Sequence, residues 1–176
     1  MFVFGHNANG MTSIPPRFVF DEVGAECIDA VRPLWEKLRA HHAQLSRHFG
    51  SEMRRRTFEL RKQELLAKAK GGRLKIDLVY ECSGVQPVAY CATGTASDGS
   101  GEVDSIFVEE HVRNCGIGTE LMRRPLAWLD GHGVTSKVVS VAYGNDEVLM
   151  FYARFGFFPR AIVLRQVDES ADRPAT

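Results

Sequence analysis

The chain has 176 residues, 44% of them apolar and 25% charged, and its 22 lysines and arginines balance 22 aspartates and glutamates for a formal net charge of zero. That length suits one domain with a sizeable core, and the charge balance argues against non-specific nucleic-acid binding, which needs a basic surface. The four cysteines, at 27, 82, 91 and 115, form no CxxC pair, so no metal site or disulfide framework is expected, and a reducing, cytoplasmic setting is.

No apolar run approaches the ~18 residues of a membrane span, and the N-terminal stretch lacks the basic start and long apolar core of a signal peptide. Residues 1–16 contain Asn-Ala-Asn-Gly and Pro-Pro. Both interrupt regular structure, so a flexible N-terminal extension is expected. Arg17 to Phe20 reads as a first strand. A helix is expected from about Ile28 to Phe49, where Val31, Leu34, Trp35, Leu38, Leu45 and Phe49 share one face. Pro33 is tolerable only in the first turn, which places the start near Asp29. His41 and His42 are adjacent and point about 100° apart on a helix. With His48 they read as partly exposed histidines rather than metal ligands.

Ser51 is placed to cap a second helix, roughly Glu52 to Lys70. Its Arg54-Arg55-Arg56 run, with Arg61, Lys62, Lys68 and Lys70, is diluted by Glu52, Glu59 and Glu64 and reads as a solvated face. Leu74 to Cys82 and Pro87 to Ala96 form a hairpin around Ser83-Gly84-Val85-Gln86. Gly94 inside the second strand marks a bulge or a close approach. Ser97 to Gly101 then turns the chain into Glu102–Val108, a run rich in β-branched and aromatic residues that favours an extended backbone.

Arg113-Asn114-Cys115-Gly116-Ile117-Gly118 breaks the chain with two glycines, and from Thr119 the apolar residues Leu121, Met122, Leu126 and Leu129 fall at helical spacing. The first N–H groups of a helix lack partners inside it, and its start carries partial positive charge. Glycines let an anion approach that backbone, so a phosphate or pyrophosphate is the natural guest. Arg113 adds a full charge and a planar fork of donors. The loop lacks the Gly-Lys-Ser/Thr ending of a P-loop, and it has only two of the three glycines of a dinucleotide fingerprint. Lys137 to Ala142 reads as a fifth strand, Asp146 to Phe155 as a short helix stopped by Gly156, and Phe157 to Val167 as a last strand broken near Pro159. Residues 168–176 are expected to be a disordered tail.

An Arg-x-x-Gly-x-Gly loop after a strand resembles the acetyl-CoA loop of the GCN5-related N-acetyltransferases (GNAT). The segment Asn145-Asp146-Glu147-Val148-Leu149-Met150-Phe151-Tyr152-Ala153-Arg154-Phe155-Gly156-Phe157 is similar to the Asn…Ala/Phe-Tyr-x-x-x-Gly-Phe segment of the same family, and the element order agrees. The resemblance covers residues 17–167, expected to be a single domain. It implies an α/β (α+β) fold with a mixed, strongly twisted sheet of six to seven strands flanked by about four helices. The fourth and fifth strands would splay apart around the thioester arm of acetyl-CoA. It also implies that Ile106, Phe107 and Val108 line the pantetheine arm, that Arg113, Asn114, Cys115, Gly116, Ile117, Gly118 and Thr119 hold the pyrophosphate, and that Asn145 stands in the second wall. Tyr152 would face the sulfur. Many members carry two strands after the short helix, and the chain has room for one, so a second copy, as a homodimer, is the partner that would complete the acceptor side.

Acyl transfer to an amine needs loss of a proton from nitrogen, stabilisation of the developing oxyanion, and departure of the thiolate. A lysine-type amine with pKa ~10.4 is neutral in only about one molecule in 10³ at pH 7, so a base matters. Glu102 and Asp104 stand two apart on a strand and so point to one face; either serves as the candidate base. Tyr152, protonated at pH 7 with a reference pKa of ~10, is the candidate acid. Cys115 would face the phosphate end rather than the thioester. The resulting expectation is an acetyl-CoA-dependent N-acetyltransferase with a small-molecule or peptide amine as acceptor, acting by direct attack in a ternary complex. The alternative is a non-catalytic acyl-CoA sensor or assembly domain.

Overall fold

A computed structural model describes residues 17–167 of the protein. The expected extension over residues 1–16 and the tail over 168–176 lie outside the described residues. In chain order the elements are β1 (Phe18–Val23), a 3-10 turn (Ala25–Val31), α1 (Arg32–Leu45), α2 (Gly50–Arg55), α3 (Phe58–Gly71), β2 (Arg73–Glu81), β3 (Pro87–Thr95) and β4 (Ser100–Val108). After β4 come α4 (Ile117–Gly131), β5 (Ser136–Val139) and α5 (Leu149–Ala153), with short 3-10 turns before α4 and α5.

The strands form one sheet in the order β1-β2-β3-β4-β5. The first four pair antiparallel, and β5 joins β4 in parallel. The sheet is therefore mixed, but it has five strands instead of six to seven, and five α-helices instead of four, among the described residues. The expected strand over residues 157–167 does not form. Pro159 has no N–H to give a ladder, and β5 offers an edge of only four residues. The stretch has no regular structure and is tied down by Arg165, which pairs with Glu52 and stacks over Phe49.

Both long helix expectations need correction for physical reasons. Pro33 cannot donate back into a preceding turn, so the chain from Ala25 to Val31 coils as a 3-10 turn and α1 proper begins at Arg32, with Pro33 in its first turn. The second expected helix breaks at Arg56–Thr57. Arg39 of α1 donates to the carbonyls of Arg54 (3.0 Å) and Arg56 (2.7 Å), satisfying the open end of α2. Thr57, not Ser51, is the capping residue: its hydroxyl accepts from the Leu60 N–H and starts α3.

Two cores lie on opposite faces of the sheet. On one, Ile76, Leu78 and Tyr90 meet Leu34 and Trp35 of α1 and Phe58 and Leu65 of α3. On the other, Val79, Cys91 and Val103 meet Ile117, Leu121 and Met122 of α4 and Tyr152 of α5. Truncating any of the fully buried leucines to alanine costs about 2–5 kcal/mol.

Candidate active site

Pairing of β4 with β5 runs only from Ser100↔Ser136 to Val103↔Val139. From Asp104 onward the two strands part. The opening is a cleft of about 700 Å³ walled by Val103–Val108, the loop from Arg113 to Thr119, Val139–Ala142, and Asn145 to Arg154. A second cavity of about 510 Å³ adjoins it under α1 and α3. The two share Leu38, His42, Asp104, Ser105 and the stretch Ser140–Ala142.

The junction is built by an irregularity in β4. Ala92 pairs with Ser105, but Thr93 pairs with Val103, so Asp104 is an extra residue opposite no partner. Side chains alternate along a strand, and the extra residue shifts that alternation by one. Val103 and Ile106 both belong to the α4-side core, which leaves Asp104 and Ser105 together on the α1–α3 side. Gly94, singled out in the sequence, lies beside this bulge; a Cβ there would stand 3.4 Å from Asp104 Oδ2.

Glu102 and Asp104 converge, as their spacing predicts, but on a lysine. Lys68 Nζ donates to Glu102 Oε2 at 2.7 Å and to Asp104 Oδ1 at 2.6 Å. Arg61 stands 3.4 Å from Asp104 Oδ1, and Ser140, just past β5, donates to Glu102 Oε1 at 3.1 Å. The Asp104 side chain is 2% exposed, against 29% for Glu102 and 42% for Lys68. Partial burial works against the charge on Lys68, but the hydrogen bonds and charges of Asp104 and Glu102 outweigh it, and the ammonium is held above the usual lysine range. The basic stretch of α2 and α3 is therefore not simply a solvated face. Arg56, Arg61 and Lys68 line the second cavity with Glu64, Glu102 and Asp104.

The glycine loop enters α4 through two left-handed residues, Asn114 (φ 61°) and Gly116 (φ 82°). Gly116 is the N-cap and offers no side chain to the first turn, so the amides that open α4 remain available to an outside acceptor. Arg113 Nε donates to the Val108 carbonyl at 3.1 Å, which holds its guanidinium at the mouth of the cleft. A second cation, Arg154, donates to Thr119 Oγ1 at 3.1 Å and lies against Phe151 and Phe155. Free amides at a helix start with two arginines suit a pyrophosphate, and the unpaired edge of β4 suits the amides of a pantetheine arm.

Of the expected binding residues, Ile106, Phe107, Val108, Arg113, Asn114, Gly116, Gly118, Thr119, Asn145 and Tyr152 all line the cleft. Cys115 and Ile117 do not. Cys115 is exposed on the loop, and the Ile117 side chain is buried in the α4-side core. Tyr152 is only 7% exposed. Its hydroxyl has no hydrogen-bond partner among the described residues, and burial, helped by nearby Cys91, pushes its pKa up to about 12. His42, which the sequence placed on a helix surface, stands at the junction of the two cavities. Burial and the adjacent His41 push its imidazole below the ordinary histidine pKa.

Among the described residues no helix is long and apolar enough to cross a membrane. No match was found among curated protein sequences. Solved structures are more informative about the fold. The tetramutant of the BH1408 protein from Bacillus halodurans superposes with a TM-score of 0.65 at 15% identity, covering 84% of this chain and 98% of its own. A GCN5-related N-acetyltransferase from Ralstonia eutropha JMP134 gives 0.64 at 18% identity, covering 85% and 98%. The aminoglycoside N-acetyltransferase AAC(6')-Iy in complex with CoA gives 0.57 at 14% identity, covering 84% and 98%. The profile of the Acetyltransferase (GNAT) family matches residues 36–157, the span that holds the splayed strands, the glycine loop and the tyrosine helix, and the chain belongs to that family.

Proposed function

We propose that the protein transfers the acetyl group of acetyl-CoA to a primary amine by direct attack in a ternary complex. One observation carries the reading: the cleft between β4 and β5 opens at Asp104 and Ser105 into a second cavity where the carboxylates of Glu102 and Asp104 converge. Acetyl-CoA supplies an activated thioester at that junction. The amides at the start of α4, with Arg113 and Arg154, hold its pyrophosphate, and Ile106 to Val108 hold its arm. Tyr152 donates its phenolic proton to the departing sulfur.

Glu102 and Asp104 receive the acceptor's ammonium. Lys68 marks what that seat accepts, since the protein's own ammonium sits between the two carboxylates. The acceptor is therefore a cationic amine that competes with Lys68 for the pair. The neighbours named as an aminoglycoside N-acetyltransferase and a ribosomal-protein-alanine N-acetyltransferase agree with an amine acceptor without selecting one.

The test is acetyl-CoA-dependent thiol release over a panel of a diamine (cadaverine), an aminoglycoside (neamine) and an alanine-initiated peptide. Release that depends on one of these amines, with the acetylated amine found by mass spectrometry, supports the reading. Tight acetyl-CoA binding with no release from any of them favours an acyl-CoA sensor instead.

A further inference from the structure

We infer that His42 is the base that takes the proton the acceptor's ammonium must lose before its nitrogen can attack. The inference rests on the acetyl-transfer reading and goes beyond it, because it moves proton removal from the carboxylates of β4 to a residue of α1.

The geometry favours His42 on two counts. Its imidazole lines both the donor cleft and the acceptor cavity, so it faces the place where a thioester and an amine would meet. Its ring makes no side-chain hydrogen bond or ion pair among the described residues, whereas Glu102 is engaged by Lys68 and Ser140, and Asp104 is engaged at Oδ1 by Lys68 and Arg61 and has its other oxygen buried. A base must have a free lone pair, and the imidazole has one in its neutral form.

Burial first, and then the neighbouring His41, disfavour the charged ring; the other charges of the two cavities are mixed. On α1 itself His41 lies beside it, with ring centroids 6.0 Å apart, and Arg39 lines the same cavity. From α2 and α3 come Arg56, Arg61 and Lys68 against Glu64, and from β4 come Glu102 and Asp104, already paired with Lys68. From the donor side Arg113 and Arg154 face Glu147. Cations outnumber carboxylates by four to three in the acceptor cavity and match them two to two in the donor cleft, and the half-buried ring is pushed below its ordinary pKa by burial and by His41. A neutral imidazole can accept a proton at neutral pH, as proton removal from the acceptor requires.

The step balances without any further reactant. An N–H bond of the ammonium breaks as an N–H bond forms on the imidazole. The freed lone pair makes the new C–N bond while the C–S bond breaks. The second amine proton reaches sulfur by way of Tyr152, and the proton on His42 leaves to solvent. Glu102 and Asp104 keep the electrostatic task of holding the ammonium.

The experiment is the pH dependence of kcat/KM with the fastest acceptor of the amine panel. In the wild-type protein kcat/KM should fall tenfold per pH unit below a limb under the ordinary histidine value of 6.5. His42→Gln and His42→Asn should each lower it at neutral pH by about 10²-fold or more and erase that limb. Calorimetric affinity for acetyl-CoA should stay nearly unchanged, and imidazole in the buffer should restore part of the activity of His42→Gly. A limb that survives in both substituted proteins, or one that disappears in Asp104→Asn instead, overturns the assignment while leaving acetyl transfer intact. A wild-type protein that releases no CoA with any amine of the panel overturns the transfer reading and this inference with it.

Discussion

Replacing Lys68 by methionine keeps the length of the side chain and removes its charge. Two carboxylates lose a partner at once, Glu102 at 2.7 Å and Asp104 at 2.6 Å. Breaking a fully buried ion pair costs about 3–5 kcal/mol, and an exposed pair contributes about 0–1 kcal/mol. This pair lies between those limits. Asp104 is 2% exposed but Lys68 is 42% exposed, and Arg61 remains 3.4 Å from Asp104 to carry part of the charge. A loss of about 1–2 kcal/mol follows, which lowers Tm by roughly 2–8 °C in a chain of this size. In a double-mutant cycle with Asp104→Asn, the loss should not add, with a coupling of about 1 kcal/mol. The kinetic effect has the opposite direction. If Lys68 competes with the acceptor for the carboxylates, an equal release of about 1 kcal/mol should lower the acceptor KM about fivefold. Thermal melts and initial rates of thiol release measure the two. An unchanged Tm together with a raised KM would refute the idea that Lys68 occupies the acceptor's seat.

Tyr152→Phe should lower turnover by about 10²-fold with acetyl-CoA affinity and Tm unchanged, because the ring keeps its packing in the α4-side core; equal losses of affinity and turnover by calorimetry and rate assays would remove the acid role. Burial holds that phenol at about 12 against an ordinary 10.0, so the wild-type rate should show no alkaline limb from its ionisation near pH 10. In the loop, Arg113→Ala should weaken acetyl-CoA binding in calorimetry and leave the ligand-free melt intact. Gly116→Ala should cost about 1–2 kcal/mol of stability, because its φ of 82° is strained for any residue with a Cβ. Stability should also fall in alkali. The Cys91 thiol and the Tyr152 phenol are both held up to about 12 by burial, against 9.0 and 10.0 ordinarily. The fold keeps these protons where the unfolded chain releases them, so the stabilisation is complete below pH 9 and declines as pH rises toward 12. Melting curves recorded across that range should show Tm falling, with a shallower fall for Cys91→Ala.

The glycine loop and the tyrosine helix were legible in the sequence because both are local. Arg113, Gly116 and Gly118 lie in a six-residue run, and the backbone freedom that loop needs is written as glycine. The hairpin was equally legible from the Ser83-Gly84-Val85-Gln86 turn between its strands. What the sequence hid depends on contacts between distant segments. Lys68 and Glu102 lie 34 positions apart, and no spacing rule brings them together. Arg39 ends α2 from another helix, so the break at Arg56 read as continuous helix, although Thr57 was a usable capping signal. His42 looked like a surface histidine because helical periodicity describes one face of α1 and says nothing of the cavity under its C-terminal half. The last expected strand failed for the opposite reason: Phe157 to Val167 has strand-like composition, but the short β5 gives it no ladder to join.

The extra residue at Asp104 divides β4 into two halves of opposite parity. Upstream, odd-numbered positions face α4; downstream, even-numbered positions do. Deleting one residue between Gly101 and Ile106 would remove the phase change, and one half or the other would have to turn its apolar side chains toward water. Removing or adding two residues would preserve parity and only slide the acceptor cavity along the strand relative to the donor cleft. Length variation in this stretch is therefore tolerable in steps of two, and a redesign of acceptor reach that leaves the acetyl-CoA contacts untouched should be sought there.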